Sequence, residues 1–513
     1  MQSLLKKLIK YTVILLIVLA STPVWAAEEP AAAEAAAAQA ATTEAAAEKS
    51  VRDEEVGCLS EGRKFIPAAE EPAAKEPAEE EPAEEEPAED EEVGGLSEGR
   101  KWIPEVSFPP TDPDSIEGEI YFWDRDFQID FAYSNLHISQ KRGIEYTRDN
   151  SEFYLRIGGR IYIDFVKYFE DKNDLGDNGL GIRNFTIEMN GRFNKQWLYR
   201  LSWGGFTSGG KFDGGGAFID DAYVSYNGFK KIALILGQHK EPFGLEESSS
   251  SLVTTFMERG LPSALVTGTN LGASFSTYRS WWGLTAGVFS EDLSNASDLS
   301  NQGHGLTGRI HFNPGHREDR VYHLGSSVSF RDISDTDSFY YRNRPESGLT
   351  DVRYVDTGDI FYPEHVYRYN IEAAVTAGPF SVQSEYIASR MTRKTGLSEL
   401  YFYGWYVFAS WFPTGGSRNY FPDEGIFGYP QVKSKHGELE LAVRYSMVNL
   451  NDGTVRGGTE KNLSLGINWY LSRHMRMMAN YIFVNNDTFA NADRTVEGND
   501  HPQILQFRFQ YRI

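Results

Sequence analysis

Phe153-Tyr-Leu155-Arg-Ile157-Gly-Gly-Arg160-Ile161-Tyr-Ile163-Asp164-Phe165 sets apolar side chains at odd positions and Arg156, Arg160 and Asp164 at even ones. Successive side chains of a strand leave on opposite faces, so a period of two makes one face greasy and the other wet. The rhythm returns in Phe185–Met189, Trp197–Trp203, Leu439–Tyr445 and Leu463–Trp469. Most of the segments that carry it reach the ~9–11 residues a tilted strand needs to cross an outer membrane. Strands are expected near 153–169, 180–193, 196–207, 217–228, 231–238, 270–279, 281–290, 304–313, 321–331, 366–378, 380–390, 400–412, 437–448, 459–472, 474–485 and 501–513. Sixteen is even, as a single-chain bacterial barrel requires. The expected fold is therefore all-β, a 16-stranded antiparallel transmembrane β-barrel.

The connections supply an independent check, because such barrels have short periplasmic turns and longer external loops. Counting from an external loop after the first strand, every second connection is brief, as at Asn194-Lys195, Phe229-Lys230, Ser280, Pro379 and Arg473. The others are longer, the largest being 239–269 and 332–365. One stretch, 413–436, falls on the short side yet is long, which leaves room for a hairpin not counted there. The chain ends on Leu505-Gln-Phe507-Arg508-Phe509-Gln-Tyr511-Arg512-Ile513, a strand able to close the sheet against the first and so remove its exposed edge.

Composition agrees. Aromatics make up 14%, and a mean hydropathy of -0.44 excludes a bundle of apolar membrane helices. The formal charge of -23 is unevenly distributed. Residues 27–118 carry 27 acidic against 7 basic groups, whereas 119–513 carry 46 against 40, so the body is nearly balanced and offers no basic block for nucleic acid. Residues 1–26 read as a signal peptide: Lys6, Lys7 and Lys10 precede the apolar run Thr12–Ala20, and Val24 and Ala26 suit cleavage after Ala26. From 27 to 117 the Ala, Glu and Pro content is too poor in large apolar groups to offset ordering entropy, so a disordered acidic periplasmic extension is expected before a barrel domain at 118–513. Within it, residues 53–67 recur as 90–104, each copy ending in a basic pair, an aromatic, Ile and Pro. Such copies suit either contact with the cell wall or a periplasmic partner, or a duplicated linker. Cys58, the single cysteine, excludes an internal disulfide.

Four stretches carry a family likeness: Leu155–Arg160, Gly237–Glu246 with its Lys-Glu-Pro-Phe, Phe256–Pro262 with its Phe-Met-Glu-Arg, and Leu465–Tyr470. Over about residues 130–513 the chain resembles the phosphate-selective porin O and P family. The resemblance implies a homotrimer of 16-stranded barrels in the lipid of the bacterial outer membrane. It also implies small anions such as phosphate as solutes and a third external loop folded into each pore as its constriction. That loop corresponds to 239–269, and Lys240 and Arg259 occupy the matching motifs. The loop also holds Glu241, Glu246, Glu247 and Glu258, so a strong phosphate cage is not evident in it, and Ile513 stands where phenylalanine is common.

If the apolar parity faces lipid, Arg156, Arg160, Arg192, Arg200, Arg309, Arg368, Arg444, Arg476, Arg508 and Arg512 line the pore, against Asp164, Glu188, Asp221, Glu372, Glu385, Glu438 and Glu440. Guanidinium stays charged at any working pH and offers a planar fork to oxyanions, so such a wall suits anion passage through several weak sites. The same arginines suit bracing of the wall by ion pairs. Other chemistry is faint. Gly209–Gly216 lacks the Gly-Lys-Ser/Thr of a phosphate-binding loop, and no His-Glu-x-x-His or Gly-x-Ser-x-Gly occurs. No cofactor, metal or catalytic residue is expected. Two other readings remain: a barrel that anchors the acidic extension to the cell wall or a periplasmic partner, and an outer-membrane enzyme.

Overall fold

The structure, a computed structural model, describes residues 128–130, 136–139, 143–148, 153–170, 172–173, 179–205, 217–291, 303–317, 320–394, 396–491 and 496–513. The signal peptide, the acidic extension with its repeats, and Cys58 lie outside the described residues.

Nineteen strands share one sheet. Sixteen of them close into an antiparallel barrel: β1 (Phe153–Phe169), β2 (Gly179–Phe193), β3 (Trp197–Gly205), β4 (Ala217–Phe229), β5 (Ile232–Lys240), β6 (Thr269–Arg279), β7 (Trp282–Phe289), β8 (His304–Phe312), β9 (Arg320–Asp332), β10 (Pro363–Ala377), β11 (Phe380–Arg393), β12 (Leu400–Trp411), β13 (Glu438–Asp452), β14 (Val455–Tyr470), β15 (Met475–Asn486) and β16 (Gln503–Arg512). Each lies where the period of two puts it, with ends moved by at most four residues. The outer face carries Leu236, Val288, Leu306, Leu324 and Ile371, each more than half exposed. A water-facing surface of that kind is costly, and lipid removes the cost, provided every backbone group is paired within the closed sheet. Aromatic pairs ring the outside at the short turns, with Phe193 stacked on Trp197 and Phe380 on Trp411.

Closure is made by the last residues. Phe507 lies opposite Phe165 and Arg508 opposite Asp164, and Ile513 exchanges backbone hydrogen bonds with Gly159 at 2.9 and 3.2 Å. A Cβ on Gly158 would stand 2.5 Å from the Ile513 carbonyl oxygen, so only glycine lets the terminus in so close. Beyond it, the short strand Gly143–Arg148 pairs with residues 153–157 of β1, taking the edge that β16 leaves. Leu136–Ser139 and Gln128–Asp130 add two more short strands in meander. They mark the end of the barrel with the tight turns, where Asn194 and Lys195 of a three-residue loop and Lys231 of a two-residue loop adopt positive φ.

The long stretch 412–437 is not an uncounted pair of wall strands. It forms a small hairpin, Asn419–Phe421 with Ile426–Gly428, folded into the lumen against Val321 and Ala374. Two external loops enter from the opposite end. Residues 241–268 hold a helical turn at Leu245–Ser248 and a 3₁₀ turn at Leu261–Leu265, and Phe243, Leu245, Phe256, Leu261 and Leu265 are almost wholly buried. Residues 333–362 add Tyr341, Tyr354, Val355 and Ile360. The barrel therefore has an apolar core on one side of its lumen.

Candidate pore constriction

The infolded loop 241–268 is held by its acids. Glu241 takes hydrogen bonds from Arg331, Thr307 and Asn270. Glu246 lies 3.6 Å from Arg444 and accepts from the Gly260 amide at 3.0 Å. Glu258 receives Arg183 in a two-pronged pair, both distances 2.9 Å, and Arg508 at 2.7 Å. Burial alone raises the Glu258 carboxyl, but Arg183 and Arg508 outweigh it and hold the group down at about 2. Burial pushes Glu246 upward, with Arg444 opposing. From the wall, the Glu385 carboxylate accepts the Leu245 and Glu246 amides at 2.8 and 2.7 Å and the Tyr406 hydroxyl at 2.6 Å.

Lys240 and Arg259 sit together at the other side of this loop. Lys240 donates to the Glu247 and Ser249 carbonyls at 2.9 and 3.3 Å, and Arg259 pairs with the Glu247 carboxylate at 3.1 Å. Facing them, β1–β4 carry an alternating chain. Arg160 reaches Glu188 at 2.8 Å and Asp220 at 3.5 Å, while Arg200 reaches Asp221 at 2.8 Å and Glu188 at 3.5 Å. Side chains here keep contact with solvent, Lys240 at 30%, Arg259 at 26% and Asp220 at 28% exposed. Above the loop, a cavity of about 240 Å³ opens between Arg183, Glu247, Glu258, Arg259, Arg344 and Glu346.

The ten wall arginines divide in two. Arg309 is paired with Glu372 and Arg508 with Asp164, while Arg444 pairs with Glu346 and stacks on Phe256. Arg476 stacks on Tyr470 and Arg368 lies near the Phe339 ring. All five are at most 5% exposed, pressed between wall and infolded segments. Arg156, Arg192, Arg200 and Arg512 are half-buried, and Arg160 is buried but borders them. Sequence parity does not separate the two groups, because which wall is covered depends on where loops from both ends fold.

Parity also misses Arg183 and Asp220. The β1–β2 register skips Arg183, with Tyr162 opposite Asn184 and Ile163 opposite Ile182, and the β3–β4 register skips Asp220 between Asp221 and Ile219. A bulge places two residues against one and re-aims a side chain, so both turn inward beside residues that also face in. Among the described residues no cluster of three or more metal-binding side chains occurs. His311, a strand histidine, instead contacts the Pro422 carbonyl oxygen at 2.9 Å.

A closed sixteen-stranded barrel with a greasy outside, a charged lumen and an infolded loop defines an outer-membrane porin. The sequence profile described as phosphate-selective porin O and P matches residues 155–513, and the chain belongs to that family. Porin O of Pseudomonas aeruginosa is 27% identical over 412 residues, covering 73% of this chain and 93% of that protein. An uncharacterized protein of Caulobacter vibrioides is 28% identical over 370 residues, covering 68% and 72%. Among solved structures, the outer membrane protein OmpT of Vibrio cholerae superposes with a TM-score of 0.46 at 10% identity, over 72% of this chain and 99% of that one. The protein resides in the bacterial outer membrane.

Proposed function

We propose that this porin is a passive, water-filled channel that prefers small anions, phosphate among them, and catalyses no reaction. The observation that carries this is the solvent-touching cationic side of the passage. Arg156, Arg183, Arg192, Arg200 and Arg512, with the buried Arg160 among them, lie on β1, β2, β3 and β16, opposite Lys240 at the end of β5 and Arg259 on the loop. The neighbouring carboxylates are each already shared with a cation, so an entering anion meets several weak donors rather than one cage, as conduction requires. The five buried arginines serve as braces in this reading. Family membership and a named relative that is a porin support it, and they support a homotrimer. The alternative reading, favoured by the recurrence of residues 53–67 at 90–104, is a barrel that serves as an anchor and whose acidic extension 27–117 tethers it to the cell wall or a periplasmic partner.

Purified protein in a planar bilayer tests the channel. Stepwise conductance is expected, with a reversal potential in a salt gradient on the anion side. Arg160→Ala or Arg259→Ala shifts that potential toward cations, and no shift in either defeats the arginine assignment. Phosphate added to chloride reduces the current only at millimolar levels, whereas block at micromolar levels indicates a tight site instead.

A further inference from the structure

Four outward side chains near the external end of the wall stand in one row: Lys167 of β1, Gln503 of β16, Asn485 of β15 and Lys461 of β14. Lys167 lies opposite Leu505, and Gln503 is the next outward residue of β16 toward the external loops. Gln503 lies opposite Phe483, Asn485 is the next outward residue of β15, and Asn485 lies opposite Lys461. Strands tilted by ~35–45° make a level line slip by about one residue per strand, so these offsets hold all four at one height. At ~4.8 Å per strand and ~3.3 Å per residue the two lysine backbones are roughly 20 Å apart, too far to share one small anion.

Just below the row Phe165, Phe483 and Leu463 are exposed, and the apolar face of β14 continues down to Trp469. The row is therefore the upper edge of the apolar band, where headgroups begin and where a cation on the lipid face costs least. Both lysines are exposed, and the Lys167 ammonium stands 5.0 Å from the centre of the Phe169 ring. Further round the barrel at about this level, charges are matched within the chain. Arg390 pairs with Glu399 at 2.6 Å, and Asp332 lies 3.8 Å from His365. Among the described residues neither Lys167 nor Lys461 pairs with a carboxylate. Glu170 borders the row, where it accepts a hydrogen bond from the Gln503 amide at 2.9 Å. The row is thus cationic at its two ends and hydrogen-bonding between them.

We propose that this row docks a phosphorylated glycolipid of the outer leaflet, with one phosphate at Lys167 and a second at Lys461. The sugar hydroxyls lie over Gln503, Asn485 and Glu170, and the acyl chains run down the wall over Phe165, Phe483 and Leu463. A free ion would leave that apolar ledge bare, whereas an acylated headgroup covers ledge and cations together. An ammonium near an anionic headgroup gains a charge-assisted hydrogen bond as well as long-range attraction. The site is outside the pore and goes beyond the channel reading, needing only the barrel's place in the membrane.

Detergent-folded full-length protein is titrated with diphosphoryl lipid A and the bound lipid is read by native mass spectrometry. Lys167→Gln or Lys461→Gln is expected to weaken binding about fivefold, and the two together about thirtyfold. Monophosphoryl lipid A binds the parent about fivefold more weakly than the diphosphoryl form. Arg390→Gln, which removes a cation already matched by Glu399, leaves the affinity unchanged, and the double lysine variant conducts as the parent does. Equal affinity of parent and double variant, or an equal loss with Arg390→Gln, overturns the site. Displacement of the lipid by millimolar inorganic phosphate overturns it in favour of a free ion. Loss of the trimer in the double variant at unchanged lipid affinity overturns it in favour of a neighbouring subunit.

Discussion

Arg508 shows how one wall side chain serves two structures. It grips Asp164 of β1 with two nitrogens, at 2.7 and 2.8 Å, and donates to Glu258 and the Met257 carbonyl of the loop. Arg508→Ala strands the buried Asp164 carboxylate and leaves Glu258 with Arg183 alone, a change that costs about 3–5 kcal/mol when one partner of a buried pair is removed. Denaturant unfolding of detergent-folded protein should show that loss, while Arg192→Ala, which breaks no pair, should stay within about 1 kcal/mol. Glu258 gives the pH sign. Its folded carboxyl titrates at about 2, below the ordinary glutamate range, so its contribution is complete above that range and is lost as pH falls toward 2. The stability that Glu258 contributes, read as the difference in denaturant midpoint between the parent and Glu258→Gln, should therefore be flat from pH 8 to about 5 and change only in stronger acid. Change centred near pH 7 contradicts the assignment of Glu258 as the anchor. At this scale the inward parity of all ten arginines was legible, whereas Arg183 and Asp220 were not. A bulge reverses alternation without leaving any mark in residue type.

Among the elements, the loop 241–268 is the one whose chemistry changes most between composition and structure. Its four glutamates outnumber Arg259 and the adjoining Lys240 of β5, yet Glu241, Glu246 and Glu258 each face a wall arginine and Glu247 faces both Lys240 and Arg259. The loop charge is thus cancelled largely by residues distant in the chain, which no count within the loop reveals. Glu385 performs the matching task for the helical turn at Leu245–Ser248, and Gly244, with φ at +72°, allows the approach. Glu385→Ala leaves two buried amides without acceptors, at about 1–3 kcal/mol each. Open-channel current noise should rise severalfold in that variant and not in Glu399→Ala, whose partner Arg390 is a surface group. Unchanged noise means the turn is held by packing of Phe243 and Leu261 alone. The stretch 412–437 was legible as an exception to the short-turn rule, but its inward hairpin was not. Its burial depends on His311 and Arg309 of β8, which donate to the Pro422 and Gly425 carbonyls, and on His323 of β9, which shares a hydrogen bond with the Tyr420 hydroxyl.

For the whole molecule, strand number, order and closure were readable because lipid outside and water inside impose one alternation on every strand. The interior was not readable in the same way, since loops from both ends share it and their contacts follow no period. The seam is the exposed point of this design. Deleting Ile513 removes two backbone hydrogen bonds to Gly159, and Gly158→Val puts a side chain where the terminal carbonyl lies. Either change is expected to lower the fraction of heat-modifiable, folded barrel severalfold on cold gel electrophoresis. Normal folding of both variants means that β16 pairs with β1 firmly without its last residue.

The bond between Ile513 and Gly159 also sets an order of events. The tube cannot be sealed until β16 has been exported and has reached β1, so every earlier stage carries an open flank across which a neighbouring polypeptide can pair. Whatever escorts the newborn chain must shield that flank until β16 arrives, and a product that lacks β16 keeps it open.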